Sequence, residues 1–407
     1  MTTNEQQWQD LAIEAGRVFT PTSPIDERSL FAGREEQVRL VVDVVNQKGQ
    51  HAILYGERGV GKTSLANVLS SFLGTATGSI LAPRVNCDTL DSFESVWRKA
   101  FEQIHLTRRT PQSRFEDPEK RELVAADELL GEGSVTPDTV RRALTVLSQT
   151  SLPIFIIDEF DRLAQEPRRA FADTVKTLSD HAVRSTVILV GVADSVDQLF
   201  QEHESVERAL VQIQMPRMSP DEIDKILSTG VGRLGMSIEA AAANRVVKLS
   251  QGLPHYAHLL GLYATRAAID GQSVIVTTNS IDRAIDRAIN GAQQSIRGGY
   301  EYAVRSPRKD NLFADVLLSC ALATANELGF FAAQDVREQV RKVTGKKYEI
   351  PSFAQHLNEF CDEKRGPIFQ KTGSKRRFRY RFLNPLMQPY VIMQGLRAGR
   401  INTTSLD

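Results

Sequence analysis

The clearest chemistry in this sequence lies in Gly56-Glu57-Arg58-Gly59-Val60-Gly61-Lys62-Thr63. The spacing is that of G-x-x-x-x-G-K-[ST]. Gly56, Gly59 and Gly61 let a short loop curl until its N–H groups converge on phosphate oxygens. Lys62 would place a point charge on the β- and γ-phosphates, and the Thr63 hydroxyl is a ligand for Mg²⁺. Ser64 begins an amphipathic stretch, so the phosphates would also face a helix N-terminus and its positive dipole. The expected ligand is ATP or ADP with Mg²⁺. The plainer alternative is a Gly-rich turn that leads into a helix.

A second signal is Ile154-Phe155-Ile156-Ile157-Asp158-Glu159-Phe160-Asp161. An apolar run that ends in an acid pair describes a buried strand with carboxylates at its tip. Asp158 is expected to hold Mg²⁺, directly or through a water. Glu159 is expected to polarise the attacking water as a general base. By itself such a pair also fits a solvated strand end. About 95 residues beyond the phosphate loop, it reads as the other half of one site. A third run, Val187–Val192, leads into Ala193-Asp194-Ser195. Asp194 or Ser195 is a candidate to reach the γ-phosphate or the attacking water, and Asp194 equally fits a helix N-cap.

These residues need a scaffold. Short β-rich runs at His51–Tyr55, Ile80–Val85, Ile154–Asp158, Thr186–Val192 and Val211–Met215 alternate with amphipathic stretches at Thr63–Phe72, Ser92–Ile104, Pro137–Gln149 and Arg169–Ala182. This predicts an α/β fold: a five-stranded parallel sheet with helices on both faces. Ligands of such sheets bind at the C-terminal edge of the strands. Leu106–Thr136 is polar and punctuated by Pro and Gly, and reads as an insertion with helical pieces, not as a sheet element. Ser219-Pro220-Asp221-Glu222 starts a helical region that runs to about Asn290. Gly291–Pro307 reads as a connector. Helices follow, then Pro367–Gly373 and Arg377–Leu383 flank Ser374-Lys375-Arg376 as a hairpin, the pattern of a winged helix. The expected domains are 1–217 for the nucleotide, 218–295 as a helical lid and 296–407 as the winged helix.

Composition excludes several classes. The chain has 407 residues, 41% hydrophobic and 25% charged, which rules out a disordered or collagen-like chain. Cys87, Cys320 and Cys361 show no C-x-x-C spacing, which argues against a sequence-local zinc site and fits a reducing compartment. The first residues lack a basic segment followed by an apolar core, and no run approaches the roughly 20 apolar residues of a membrane span. A cytoplasmic protein without a membrane partner is expected. Lys plus Arg (50) balances Asp plus Glu (50). Yet Glu301–Asp407 holds 18 Lys and Arg against 11 Asp and Glu. Such asymmetry predicts a different partner for the C-terminal part.

Gly56–Thr63, Asp158-Glu159-Phe160-Asp161 and the Val187–Ser195 strand together resemble the nucleotide domain of AAA+ ATPases. More narrowly, they resemble the origin-recognition and archaeal-initiator branch and the related STAND ATPases. The likeness covers about residues 18 to 390. It implies that Phe31-Ala32-Gly33-Arg34-Glu35-Glu36, with Gly33 and Arg34 at its centre, lines the adenine pocket. It also implies that Asp194 stands where the family's first sensor is usually Asn. Initiators usually carry a lid Arg that touches the γ-phosphate. Here the lid reads Gly252-Leu253-Pro254-His255-Tyr256, and no Arg stands at that place. This resembles the STAND lid motif, in which Pro254 would pack on the nucleotide and His255 would be a weaker donor. Pro near the first position of a helix explains the same residues structurally. The family further implies an arginine finger near Arg208, with Arg217 a weaker candidate; the alternative is a surface Arg208 paired with Glu204 or Glu207.

In Lys371–Phe382, strand alternation puts Arg377, Arg379 and Arg381 on one face and Phe378, Tyr380 and Phe382 on the other. With Lys371, Lys375 and Arg376 they form a basic wing suited to duplex DNA phosphates. Arg337, Arg341, Lys342, Lys346 and Lys347 add charge nearby. The alternatives are a solvated basic face or a protein-docking surface. Two readings follow. One is an initiator-like ATPase switch that self-assembles, or joins an AAA+ neighbour, and binds DNA. The other is a STAND-type signalling or defence switch with a protein partner.

Overall fold

Apolar runs without polar alternation must be covered on both sides, and such runs build the central sheet. The computed structural model describes residues 3–21, 33–75, 80–109, 121–193, 196, 199, 206, 208–307, 311–326, 328–374 and 377–402. The strands of its first half are β1 (His51–Gly56), β2 (Ile80–Leu81), β3 (Arg84–Asn86), β4 (His105–Arg109), β5 (Arg121–Ala125), β6 (Leu152–Asp158), β7 (Thr186–Val192) and β8 (Leu210–Gln214). The main sheet runs β2-β6-β7-β1-β8, with β3 also paired to β6, and every pairing is parallel. The expected strand Ile80–Val85 is split in two, so the sheet has six strands in place of five. Pro83 has no N–H for the ladder and interrupts the run, while its carbonyl still accepts from Ile156 N at 3.0 Å.

Period-two alternation divides the core. Ile53, Phe155, Ile157, Val187 and Leu189 point to one side, where they meet Trp97, Phe101, Leu144 and Phe171. Trp97 stacks on Phe171 with ring centroids 5.5 Å apart. The helices there are Phe93–Glu102, Pro137–Leu147 and Gln165–Asp180. Leu54, Ile154, Ile156, Ile188 and Val190 point the other way, toward Val41, Val44, Leu65 and Leu69. Those belong to helices Glu35–Asn46 and Lys62–Thr75.

The segment expected to be an insertion with helical pieces holds a short helix, Ala126–Leu130, and also an antiparallel pair that was not expected: β4 pairs with β5 outside the main sheet. Thr107 and Val124 are strand formers, and His105–Arg109 is too short to nucleate a helix.

The helical part starts as the sequence predicts. Ser219 and Glu222 form a reciprocal cap on helix Pro220–Arg233. Helices Ala240–Ser250, Pro254–Asp270 and Thr278–Asn290 follow, with a two-residue parallel pairing of β9 (Ser237–Ile238) and β10 (Ile275–Val276). Helix Thr3–Val18 lies against Pro254–Asp270.

The C-terminal part has helices Gln294–Val304, Phe313–Ala321, Ala333–Thr344, Ile350–Glu359 and Met387–Arg397. Its antiparallel sheet is β11 (Phe331–Ala332), β13 (Arg379–Phe382) and β12 (Phe369–Thr372), in that order. Tyr380 and Phe382 are buried beneath this sheet, as alternation requires. Among the described residues no helix is long and apolar enough to cross a membrane.

Candidate nucleotide site

The phosphate loop lies between β1 and helix Lys62–Thr75. Gly56 has φ 156°, and a methyl group built on it would lie 2.4 Å from the Met215 carbonyl oxygen, so only glycine fits there. Lys62 Nζ donates to the carbonyls of Gly56 (2.9 Å) and Glu57 (2.8 Å), which ties the loop into a closed crown. Burial pushes the Lys62 ammonium down to about 8, against the pull of Asp161, Asp158 and Glu57.

A cavity of about 800 Å³ opens over this loop. Of the predicted residues, Arg58, Gly59, Gly61, Lys62, Thr63, Ser64, Asp158, Glu159, Pro254 and His255 line it. The sheet edge and the lid thus meet as the sequence requires. Pro254 caps the loop from above: a methyl group on Gly61 would touch its Cγ at 3.7 Å. His255 Nδ1 lies 2.7 Å from the carbonyl oxygen of Pro21, which leaves Nε2 for a ligand.

Five of the predicted residues, Gly33, Arg34, Gly56, Glu57 and Val60, lie outside the lining of this cavity. Gly33 turns beneath Glu222, where an added Cβ would meet the carboxylate at 2.7 Å. The buried Arg34 guanidinium donates to the carbonyls of Val60 (3.0 Å) and Pro216, so it braces the loop from behind. Gly56 closes onto Met215, and Val60 is wholly buried in the core. The Glu57 carboxylate points away from the cleft to Arg217, with Nε–Oε2 at 2.8 Å and Nη2–Oε1 at 3.0 Å. Arg217 also donates to Gln388 Oε1 (2.7 Å) and the Gln251 carbonyl (3.3 Å). Arg217 is therefore engaged by three partners within its own chain.

The acid pair is more heavily engaged than the sequence suggests. Buried Asp158 accepts from Arg84 Nη2 at 2.7 Å and from the Glu159 amide at 2.8 Å. Glu159 has φ 55° and is paired with Arg162 at 2.9 Å. Asp161 accepts from the Val192 amide at 2.7 Å and so staples the tip of β7 to that of β6. The sequence reading missed Arg84 and Arg162. Arg162 stands one turn beyond Glu159, a spacing that marks an ion pair; Arg84 shows only once β3 lies beside β6. It also missed Leu386, from the C-terminal part, whose Cδ2 would lie 3.5 Å from a methyl group on Gly59. Asp194 and Ser195 lie outside the described residues, as do Phe31, Ala32, Glu204 and Glu207. Arg208 is exposed on the approach to β8, away from the cleft.

Residues 30–190 match the family model described as an AAA ATPase domain. This stretch is an AAA ATPase domain. No curated protein matches the chain. Among solved structures, a Walker-type ATPase of Pyrococcus abyssi is similar at 17% identity and TM-score 0.51, with 92% of this chain and 99% of that chain covered. The Aeropyrum pernix ORC2 protein, solved in ADPNP-ADP complexes, is similar at 14% identity and TM-score 0.51, with 94% and 98% covered. At these identities the likeness is one of fold. In this AAA ATPase domain the P-loop and the acid-tipped strand β6 face one cleft, and the helix Pro254–Asp270 closes it from the other side.

Mg²⁺ would be held at Thr63 and Asp158. No group of three or more His, Cys, Asp or Glu suited to a metal exists among the described residues. Mg²⁺ takes one or two side chains and keeps phosphate oxygens and waters as its other ligands. Asp158 spends one lone pair of each oxygen on Arg84 and Glu159, so acceptor capacity remains.

The basic strand pair β12–β13 differs in part from expectation. Arg377 and Arg379 are exposed. Arg381 is turned inward, over the Phe330 ring at 4.5 Å and onto Gln370, because it lies at the strand end nearest the body. Lys371 is exposed but bonds Asn358 at 2.8 Å and lies over Phe378 at 3.8 Å. Lys375 and Arg376 lie outside the described residues. Arg337 and Lys347 approach Glu349, and Arg341 approaches Glu338, at 3.6 to 4.0 Å.

Proposed function

We propose that this chain is an ATP-binding and ATP-hydrolysing switch of initiator-like AAA+ type, whose nucleotide state is passed to its C-terminal part. One observation carries this reading: the junction Glu57–Arg217–Gln388 joins the phosphate loop directly to the C-terminal helix Met387–Arg397. A change in the loop therefore reaches the C-terminal part through two contacts. The proposed bodies are 1–217, 218–295 and 296–407, the last a winged helix. Mg²⁺ at Thr63 and Asp158 neutralises phosphate charge when bound. Glu159 orients and deprotonates the attacking water once it leaves Arg162, and Lys62 exchanges its two carbonyl partners for phosphate oxygens. Exposed Arg208 is proposed to reach a neighbouring subunit in a homo-oligomer or mixed AAA+ assembly. The three free cysteines suit a reducing, cytoplasmic setting.

Lys62→Ala tests the core of this reading. Loss of a buried, hydrogen-bonded charge costs about 3 kcal/mol, or roughly 100-fold in Kd for ATP by titration calorimetry. Unchanged affinity would remove the basis for the nucleotide site.

The proposed partner of the wing is duplex DNA, held by Arg377 and Arg379 on phosphates. ATP hydrolysis should rise with duplex DNA at about 50 mM salt and fall back at about 200 mM. Replacing both arginines with Ala should abolish the rise and flatten the log–log salt dependence of binding by about 2. Stimulation that survives the double substitution would exclude the wing as the DNA contact. The second reading, a STAND-type switch with a protein partner, draws support from Pro254 over Gly61 and from the inward turn of Arg381. Stimulation absent at either salt, with ATP still bound, would favour it.

A further inference from the structure

His258 is a histidine that neither the sequence nor the proposed mechanism uses. It is 5% exposed and lines the nucleotide cavity. Neither of its ring nitrogens has a hydrogen-bond partner among the described residues. Buried polar atoms almost always have one, so this pair marks a place where a ligand completes the site.

Its position says which part of the ligand. Pro254 stands over Gly61 and marks the phosphate end of the cleft. His258 is one helical turn farther along Pro254–Asp270, about 6 Å away along the axis. The cavity wall also includes Pro21, Met218 and Ile226, the last two packed with Ala257 next to His258, apolar side chains suited to the faces of a base. Phe19 holds the imidazole edge-on with ring centroids 6.0 Å apart. Phe19 is itself seated where Gly230 and Gly261 have no side chain; a methyl group there would clash at 2.5 and 2.7 Å.

Its chemistry agrees. Burial pushes the His258 imidazole down to about 4, with a smaller push from His255. At neutral pH the ring therefore presents one N–H donor and one bare acceptor nitrogen. Phosphate oxygens only accept, and their charge calls for a cation. A base edge carries both donors and acceptors.

We infer that His258 hydrogen-bonds the edge of the nucleotide base and sets the preference of the site for adenine. This rests on the nucleotide reading proposed above and adds to it a specificity-determining residue. The test is calorimetric titration of the full chain with ATP, GTP, CTP and UTP. The wild-type protein should bind ATP about tenfold or more above the others, the worth of one good hydrogen bond. His258→Phe, which keeps the shape and removes both nitrogens, should bring the four together by weakening ATP. His258→Asn should keep part of the preference. Lys62→Ala should weaken all four alike, so failure of the phosphate site and failure of the base contact look different. A folded His258→Phe protein with an unchanged order of nucleotides would overturn the inference. If His258→Phe does not fold, an unchanged ATP-to-GTP ratio in His258→Asn overturns it. A wild-type protein that binds no nucleotide overturns the underlying reading as well.

Discussion

Glu159→Gln should leave ATP bound and lower its hydrolysis by about 10² to 10⁴, the usual contribution of a general base. The amide keeps the size of the carboxylate and can still meet Arg162, which now holds Glu159 at 2.9 Å. It cannot take a proton from water. Phosphate release under single-turnover conditions, beside a binding titration of the same variant, separates the two effects. Hydrolysis that stays within a factor of a few of wild type would move the base elsewhere. Asp161 is the next acid on the cleft wall; one of its oxygens accepts from the Val192 amide and the other keeps its acceptor capacity.

Arg217→Ala should cost about 3–5 kcal/mol of stability, because it leaves the buried Glu57 carboxylate without its partner. The loss has a second component. Gln388 and the Gln251 carbonyl lose the same guanidinium, so the phosphate loop, the lid and the C-terminal part come apart at one point. Denaturant titration should show the loss, and ATP affinity should fall with it, since Glu57 belongs to the loop. The double variant Glu57→Gln with Arg217→Met removes both charges and should recover most of the stability, because a pair of neutral groups has no stranded charge to desolvate. If Arg217→Ala alone is neutral, the junction does not hold these parts together.

Much of this was legible because it depends on local pattern. The phosphate loop is contiguous and its glycines announce their own backbone. The strands carrying Asp158 and Val187–Val192 are apolar without interruption, which only a doubly covered sheet explains. Ser219 and Glu222 mark a helix start by spacing alone. The failures share a different cause. Arg34 and Glu57 sit in motif positions, yet their side chains answer to Val60, Pro216 and Arg217. Arg84, Arg217, His258 and Leu386 acquire their roles through partners far away in sequence, so no window of residues could reveal them. Arg381 obeys strand alternation and still turns inward, because an aromatic ring lies within its reach. The Leu106–Thr136 segment misled by composition: polar residues with Pro and Gly fit an exposed hairpin as well as short helices.

The two faces of the central sheet also differ in when they can be completed. The cluster around Trp97 and Phe155 draws on residues from Ile53 to Leu210. A growing chain holds all of it as soon as β8 has been made. The opposite cluster runs from Ala15 to Ile401 and passes through the helical part into the C-terminal helix. Met387–Arg397 packs on Ala240–Ser250 and Thr278–Asn290, so those helices remain partly bare until that helix has been made. A nascent chain stopped near Asn290 would carry a finished P-loop above an unfinished apolar surface, the kind of intermediate that calls for a chaperone. For this fold, the wall of the cleft is complete only once Leu386 and the helix that follows it have been made.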